Sequence, residues 1–260
     1  MNPTNSRNSI ALRWIELLVI TAIVLVYGWT TYQRNFIWND EVTFWSDAVK
    51  KSPYKARPHN NLGISYIEKG LIEKAIIEIK EALRLKSHFV NAYISLGNAY
   101  MKIGLIDKAI PQYNEALSLK PDYGEAYVNL GNAFISKGYI EQAIVYYKKG
   151  TFLKPGYVPA HVNLASAYGL KGMIEEAIFE YKIALKLESD NPDIHYNLGL
   201  AYEQLAKSYE LRAMNKEQLV KSRELIVKAI NEYKKTLMLN PDDLQAKERM
   251  RRLRTAGEQQ

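Results

Sequence analysis

The sequence predicts an all-α protein: an N-terminal transmembrane helix followed by an array of stacked helix hairpins. Three observations carry this. An apolar run of 17 residues without charge lies at Leu17–Gln33. A set of small and apolar residues recurs every 34 residues along most of the remaining chain. The composition, 47% apolar and 24% charged over 260 residues, is that of a folded protein rather than a disordered one. The absence of cysteine excludes a disulfide scaffold, a zinc finger and a thiol nucleophile. With 35 basic and 28 acidic side chains the net charge is +7. That balance permits an anionic membrane surface or an acidic partner and demands neither.

The first element is the anchor. Residues 14–33 read as a transmembrane helix, with 1–13 as a leader. Arg13 and Glu16 lie near one end, three apart, where they can pair or reach the headgroups. Trp14 sits at one end of the run, and Trp29 and Tyr32 at the other, like two aromatic belts. No small-x-small cleavage site follows, since the residues are Tyr27-Gly28-Trp29-Thr30, so an uncleaved signal anchor is expected. Arg7 and Arg13 precede the run, whereas Asp40, Glu41 and Asp47 follow it with Arg34, Lys50 and Lys51. This bias puts the N-terminus in the cytoplasm. The expected location is a bacterial inner membrane, crossed once, with the repeats on the non-cytoplasmic side.

The second element is the repeat. Leu62-Gly63, Leu96-Gly97, Leu130-Gly131, Leu164-Ala165 and Leu198-Gly199 recur at a spacing of 34. Ala75, Ala109, Ala143 and Ala177 follow at a fixed offset, each before an isoleucine. With slot 1 at Ala56, the repeats run 56–89, 90–123, 124–157 and 158–191, and a fifth begins at Pro192 and ends near 241. Slots 4, 7, 8 and 11 form one apolar stripe of a first helix, and slots 20, 24 and 27 the stripe of a second. Gly70, Gly104, Gly138 and Gly172 all fall in slot 15, where a left-handed residue ends the first helix. Pro121 and Pro155 end the second. Such hairpins bury their faces only by stacking on neighbours.

Departures from the period define the ends. In the fifth repeat slot 15 is Ala206, and the matching Ala229, Tyr233 and Pro241 arrive 18 residues late. Both helices should therefore lengthen by about 9 residues, or roughly 13 Å, over about 203–228. The turn should lie near Met214–Lys216, with Asn215 and Gln218 as a capping box. Residues 242–260 read as a capping helix and tail. Trp45, Ala48 and Pro53 fit slots 24, 27 and 32 of an earlier half-repeat, so 34–55 holds one second-type helix directly after the anchor, with Phe36 and Trp38 near the headgroups.

This pattern resembles the tetratricopeptide repeat (TPR), which implies a right-handed α-solenoid. Residues 61–83 (NLGISYIEKGLIEKAIIEIKEAL) and 129–144 (NLGNAFISKGYIEQAI) are similar to the repeats of O-linked N-acetylglucosamine transferases. The stretch 34–63 resembles the junction in transmembrane-and-TPR proteins, whose repeats follow membrane helices on the non-cytoplasmic side. In known TPRs, slots 2, 5, 6, 9 and 12 face the concave groove. Slot 6 holds Asn61, Ser95, Asn129, Asn163 and Asn197, and slot 9 adds Asn98 and Asn132. Carboxamides supply both donors and acceptors to an extended peptide backbone. The transferase resemblance implies that they hold polypeptide. The alternative is a solvated helix face. Of slots 2, 5 and 6 only Arg57 is basic, so a clamp for a C-terminal carboxylate is absent.

No phosphate loop, zinc-binding helix or Ser/His/Asp set stands in a supporting context, and no catalytic residue, cofactor or metal is assigned. His59, His161 and His195 share slot 4 and are expected to be core spacers. The 19 tyrosines follow helix slots, so nucleic acid is not an expected partner. Lys247, Arg249, Arg251, Arg252 and Arg254 form either a solvated cap face or a contact for anionic lipid or an acidic partner. Glu203, Glu210, Glu217 and Glu224, at spacings of seven, leave the long hairpin open as a pairing arm or a plain extension. The expected role is a non-catalytic, membrane-anchored adaptor that binds protein partners. The alternatives are an accessory subunit of an envelope glycosyltransferase or other membrane enzyme, and a self-assembling scaffold.

Overall fold

The computed structural model describes residues 4–38, 40–213 and 215–258, with side chains over 14–32, 40–213 and 215–255. Arg7, Arg13, Arg34, Phe36, Trp38 and Met214, invoked above, lie outside the described side chains. The fold is an all-α TPR solenoid preceded by one long apolar helix, and the described residues form no strand. Two compact units are present, residues 1–95 and 96–260.

The first unit opens with α1, Thr4–Trp38, one unbroken helix. The sequence suggested a narrower element because only 14–33 is apolar; no proline interrupts the flanks, so the helix continues through both. Over Trp14–Tyr32 it is long and apolar enough to cross a membrane, and none of that window is buried. After it come α2 (Glu41–Lys51), α3 (Ala56–Glu68), α4 (Ile72–Leu85) and the start of α5 (Val90–Lys102). The carboxylate of Asp40 caps α2 by accepting from the backbone N–H of Thr43 at 3.0 Å and its hydroxyl at 2.9 Å. These bonds, with Lys69 Nζ at 3.2 Å, hold Asp40 below the usual carboxylate range. In α2 the residues of slots 24 and 27, Trp45 and Ala48, are only half-buried. Every other second helix buries these two slots fully or nearly so. The difference arises because α1, exposed throughout 14–32, gives α2 no full-length partner.

The second unit holds the rest of α5, then α6 (Ile106–Leu119), α7 (Gly124–Ser136), α8 (Ile140–Leu153), α9 (Val158–Leu170), α10 (Ile174–Leu187), α11 (Pro192–Leu211), α12 (Lys216–Leu239) and α13 (Leu244–Glu258). From α6 onward each helix packs on the next in sequence, with α7 also meeting α9. The turn glycines are left-handed, as Gly138 at φ 78° shows. Around it Tyr139 N–H donates to Phe134 O at 2.9 Å and Gly138 N–H to Ile135 O at 2.9 Å. This pair of bonds satisfies the last carbonyls of α7. Lys137–Asp107 at 2.7 Å and Lys171–Glu141 at 3.6 Å tie each turn to the preceding second helix.

The fifth hairpin is lengthened unevenly. α11 has 20 residues against 13 in α9, and α12 has 24 against 14 in α10. Asn215 sets this asymmetry: its side chain caps α12 by accepting from Gln218 N–H at 3.0 Å. α13 occupies the register of a sixth first helix. Ala246 is fully buried in the slot of Ala126 and Ala160, and Met250 and Leu253 pack on the core. Slot 8 of α13 is Arg251.

Candidate partner-binding face

The amides of slots 6 and 9 differ in what holds them. In the first unit Asn61 is half-buried and its Oδ1 accepts from Asn60 Nδ2 at 3.4 Å. Asn60 is buried, and its Oδ1 has no partner among the described residues. Ser95 departs from the expectation of a binding rung. It is buried, and its hydroxyl donates to Asn91 O at 2.9 Å within its own helix, a bond open to any helical serine.

In the second unit a buried tyrosine reaches between the helices to brace slot 9. Tyr113 OH donates to Asn98 Oδ1 at 2.8 Å, and Tyr147 OH to Asn132 Oδ1 at 2.7 Å. Asn163 Nδ2 donates to the same Asn132 oxygen at 2.9 Å and so links two repeats. Burial pushes both tyrosine hydroxyls up, so they stay protonated donors. With Asn132 Oδ1 taken twice and Asn98 Oδ1 taken once, their Nδ2 groups are the donors left to bind something else. Asn129 and Asn197 are half-buried and make no hydrogen bond with another described residue. The second unit thus offers donors at Asn98 and Asn132 and whole amides at Asn129 and Asn197, while Asn163 already gives an Nδ2 hydrogen to Asn132.

The brace was legible in the sequence as a correlation that repeat spacing alone does not bring out. In the first four repeats slot 24 is Tyr where slot 9 is polar (Tyr113 with Asn98, Tyr147 with Asn132, Tyr181 with Ser166) and Ile79 where slot 9 is Ile64; the fifth breaks the rule, with Leu200 beside Tyr233. In the fourth repeat Ser166 and Tyr181 hydroxyls meet at 2.9 Å. In the fifth, Tyr233 OH donates to Glu203 Oε2 at 2.9 Å, and Arg249 Nη1 to Glu203 Oε1 at 3.0 Å. Glu203 therefore belongs to the lock between α11 and α13, not to a seven-residue pairing stripe.

The slot-4 histidines are buried, as expected, but do more than fill space. His161 Nδ1 meets Glu180 Oε2 at 2.7 Å and its Nε2 meets Pro155 O at 2.9 Å. His59 repeats this with Glu78 and Pro53, and His195 with Glu232 and Ser189. A carbonyl only accepts, so Nε2 is the donor to it, and Nδ1 faces the carboxylate. Tyr127, in the same slot, donates to Pro121 O at 3.2 Å instead. Slot 23 follows suit: Glu78, Glu180 and Glu232 accompany histidine, Gln112 and Tyr146 accompany tyrosine. Among the described residues no group of three or more such side chains could hold a metal.

The basic run of α13 is sorted by its contacts. Arg249 is tied to Glu203, and Arg252 is paired with Glu248. Lys247, Arg251 and Arg254 are exposed and have no acidic partner among the described residues.

Comparison with known proteins agrees with this architecture. A TPR-repeat family model matches residues 97–138 and 167–205, and a tetratricopeptide-repeat model matches 56–89 and 124–157, together more than half of the chain. Among solved structures, MamA is 31% identical, covering 57% of this chain and 86% of that one with a TM-score of 0.50. TTC0263, a TPR protein of Thermus thermophilus, is 24% identical over 76% of this chain and 98% of that one, TM-score 0.56. YrrB, a TPR protein described as having an unusual peptide-binding site, is 22% identical over 78% and 95%, TM-score 0.55. The curated protein O-mannosyl-transferase Tmtc3 of Drosophila melanogaster is 24% identical over 89 residues, 34% of this chain; the chain spans only about 10% of that relative's length. With the 34-residue period, the left-handed turns and these matches in agreement, the chain belongs to the tetratricopeptide-repeat proteins.

Proposed function

We propose that this protein is a membrane-anchored TPR adaptor that holds an extended segment of a partner protein along the amides of its first helices. TPR arrays are protein-interaction scaffolds, and the finer assignment rests on one observation. The Tyr113 and Tyr147 hydroxyls occupy the acceptors of Asn98 and Asn132 and leave their donors for a ligand. In the second unit Asn129, Asn163 and Asn197 are the further binding residues; in the first unit Asn61 holds the same slot, and Ser95 is a packing position. A peptide backbone presents carbonyls every residue, which such donors can take. The peptide-binding site named for YrrB is a property of that protein, and the shared fold makes a similar use possible here.

Aspartate at positions 98 and 132 keeps the acceptor for tyrosine and removes the outward donor. The Asn98→Asp/Asn132→Asp chain should keep its thermal unfolding midpoint yet lose the proteins that co-purify with the full-length chain in detergent. Undiminished recovery would remove the groove from consideration.

The anchor is α1, with the repeats on the non-cytoplasmic side. A C-terminal tag should be digested by protease added to intact spheroplasts; protection until lysis would reverse the topology. The match to a mannosyl-transferase supports a second reading, a non-catalytic accessory to an envelope glycosyltransferase. Deletion would then deplete a glycan or lipid-linked sugar, whereas unchanged pools would leave the adaptor alone.

A further inference from the structure

Three of the second helices of the second unit, α6, α8 and α10, carry a ridge that the adaptor role does not use; in α12 the matching residue is Asn231. Slot 22 is Pro111 in α6, Val145 in α8 and Phe179 in α10, all exposed, Val145 at 65% and Phe179 at 63%. An aliphatic and a phenyl side chain left open at one slot of successive repeats form an apolar line with nothing packed on it. Slot 18, one turn earlier on the same face, is acidic in all three: Asp107, Glu141 and Glu175, of which Asp107 and Glu141 also meet Lys137 and Lys171 of the next turn at 2.7 and 3.6 Å, exposed pairs that a partner's lysine would share or displace. Slot 25, one turn later, is basic in two: Lys148 and Lys182. The ridge therefore runs between an acidic row and a basic row, each about 5–6 Å away along the helix axis.

We propose that this face is the two-fold interface between two copies of the chain. A two-fold axis laid along the ridge places each ridge residue on its own counterpart. The same rotation lays the acidic row of one copy over the basic row of the other, pairing Glu141 with the partner copy's Lys148, and Glu175 with the partner copy's Lys182. An axis across the ridge would instead stack acid on acid, so the charge pattern selects one arrangement. The helices α8 of the two copies then cross antiparallel at Val145. An acidic or basic foreign partner would match only one of the two rows, and a lipid surface only the lysines and the apolar line. A second copy matches all three.

The chain has no cysteine, so single-cysteine variants report directly. In membranes containing the full chain, Val145→Cys and Phe179→Cys should each yield disulfide-linked homodimers on mild oxidation. Glu141→Cys and Lys148→Cys should fail singly and link when co-expressed. Adding Lys148→Glu and Lys182→Glu to Val145→Cys should abolish its dimer. Adding Glu141→Lys and Glu175→Lys to those changes should restore it, since complementarity returns, and this arm excludes misfolding as the cause of the loss. Absence of Val145→Cys dimers overturns the proposal. So does linkage that survives the double charge reversal, or a Glu141→Cys homodimer, which would mean the other axis or contact through another part of the chain.

Discussion

Replacing Gly199 by valine should cost about 3 kcal/mol, the upper end of what overpacking a core costs. A Cβ built at Gly199 falls 2.7 Å from the ring of Tyr233, which is fully buried and has nowhere to move. Slot 8 is the point where the two helices of a repeat approach most closely, and the ring in slot 24 fills the space a side chain would need. The fourth repeat sets the scale, because it carries Ala165 there, fully buried, opposite Tyr181. A methyl group can thus be accommodated by a small separation of the helices. Gly199→Ala should lose only about 1 kcal/mol, the lower end of the same range. Chemical denaturation of the full chain in detergent gives the totals, and amide exchange in α11 and α12 should locate the loss. Pairing Gly199→Val with Tyr233→Leu should recover part of it, since the two side chains compete for one volume. A valine variant as stable as the alanine one would mean that the helices are not held at this distance.

Removing the carboxylate from a histidine clamp should cost about 2–3 kcal/mol, the upper part of the cost of leaving a buried hydrogen-bonding group without its partner. His161 is 6% exposed and the Glu180 side chain 15%, so little water reaches the gap. In Glu180→Ala, Nε2 still donates to Pro155 O and Nδ1 faces a void. The clamp joins the loop before the repeat, its first helix and its second helix, so exchange should rise in α9 and α10 together. The chain contains its own control. Its second repeat places Tyr93 and Gln112 in these slots, and His161→Tyr/Glu180→Gln copies that pair. The double variant should regain most of the stability that either single change removes. If Glu180→Ala melted like the unaltered chain, the contact would be incidental.

The 34-residue period made the fold legible because every hairpin uses the same few close contacts. Leu, Gly, Ala and Tyr recur in fixed slots wherever two helices must touch, and the slot-15 glycines mark each turn. Less was visible where an outcome depends on which partner a side chain finds. Ser95 and Asn129 share a slot, yet Ser95 bonds back to its own helix while Asn129 stays free of other described residues. Glu203 fitted a seven-residue spacing with Glu210, but its partners are Tyr233 and Arg249, 30 and 46 residues on. The uneven lengthening of α11 and α12 was hidden for a related reason. An insertion fixes how many residues are added, and the cap at Asn215 fixes how they are divided. The histidine clamps were readable in principle as paired changes between slots 4 and 23, and the tyrosine braces, through the fourth repeat only, as paired changes between slots 9 and 24.

The arginine in slot 8 of α13 has a consequence for association in concentrated surroundings. A stack of hairpins is open-ended by nature, and a bare terminal face invites another molecule to continue the series into a fibre. Every preceding first helix permits such continuation, because its slot 8 is Gly or Ala. Arg251 stands in the way, since its side chain lies where the slot-24 ring of a following helix would enter, with Lys247 and Arg254 exposed beside it. A ring arriving there would meet the Arg251 side chain where the earlier first helices present only Gly or Ala. Changing Arg251 to a small neutral residue would give α13 the same opening that the other first helices offer a second helix.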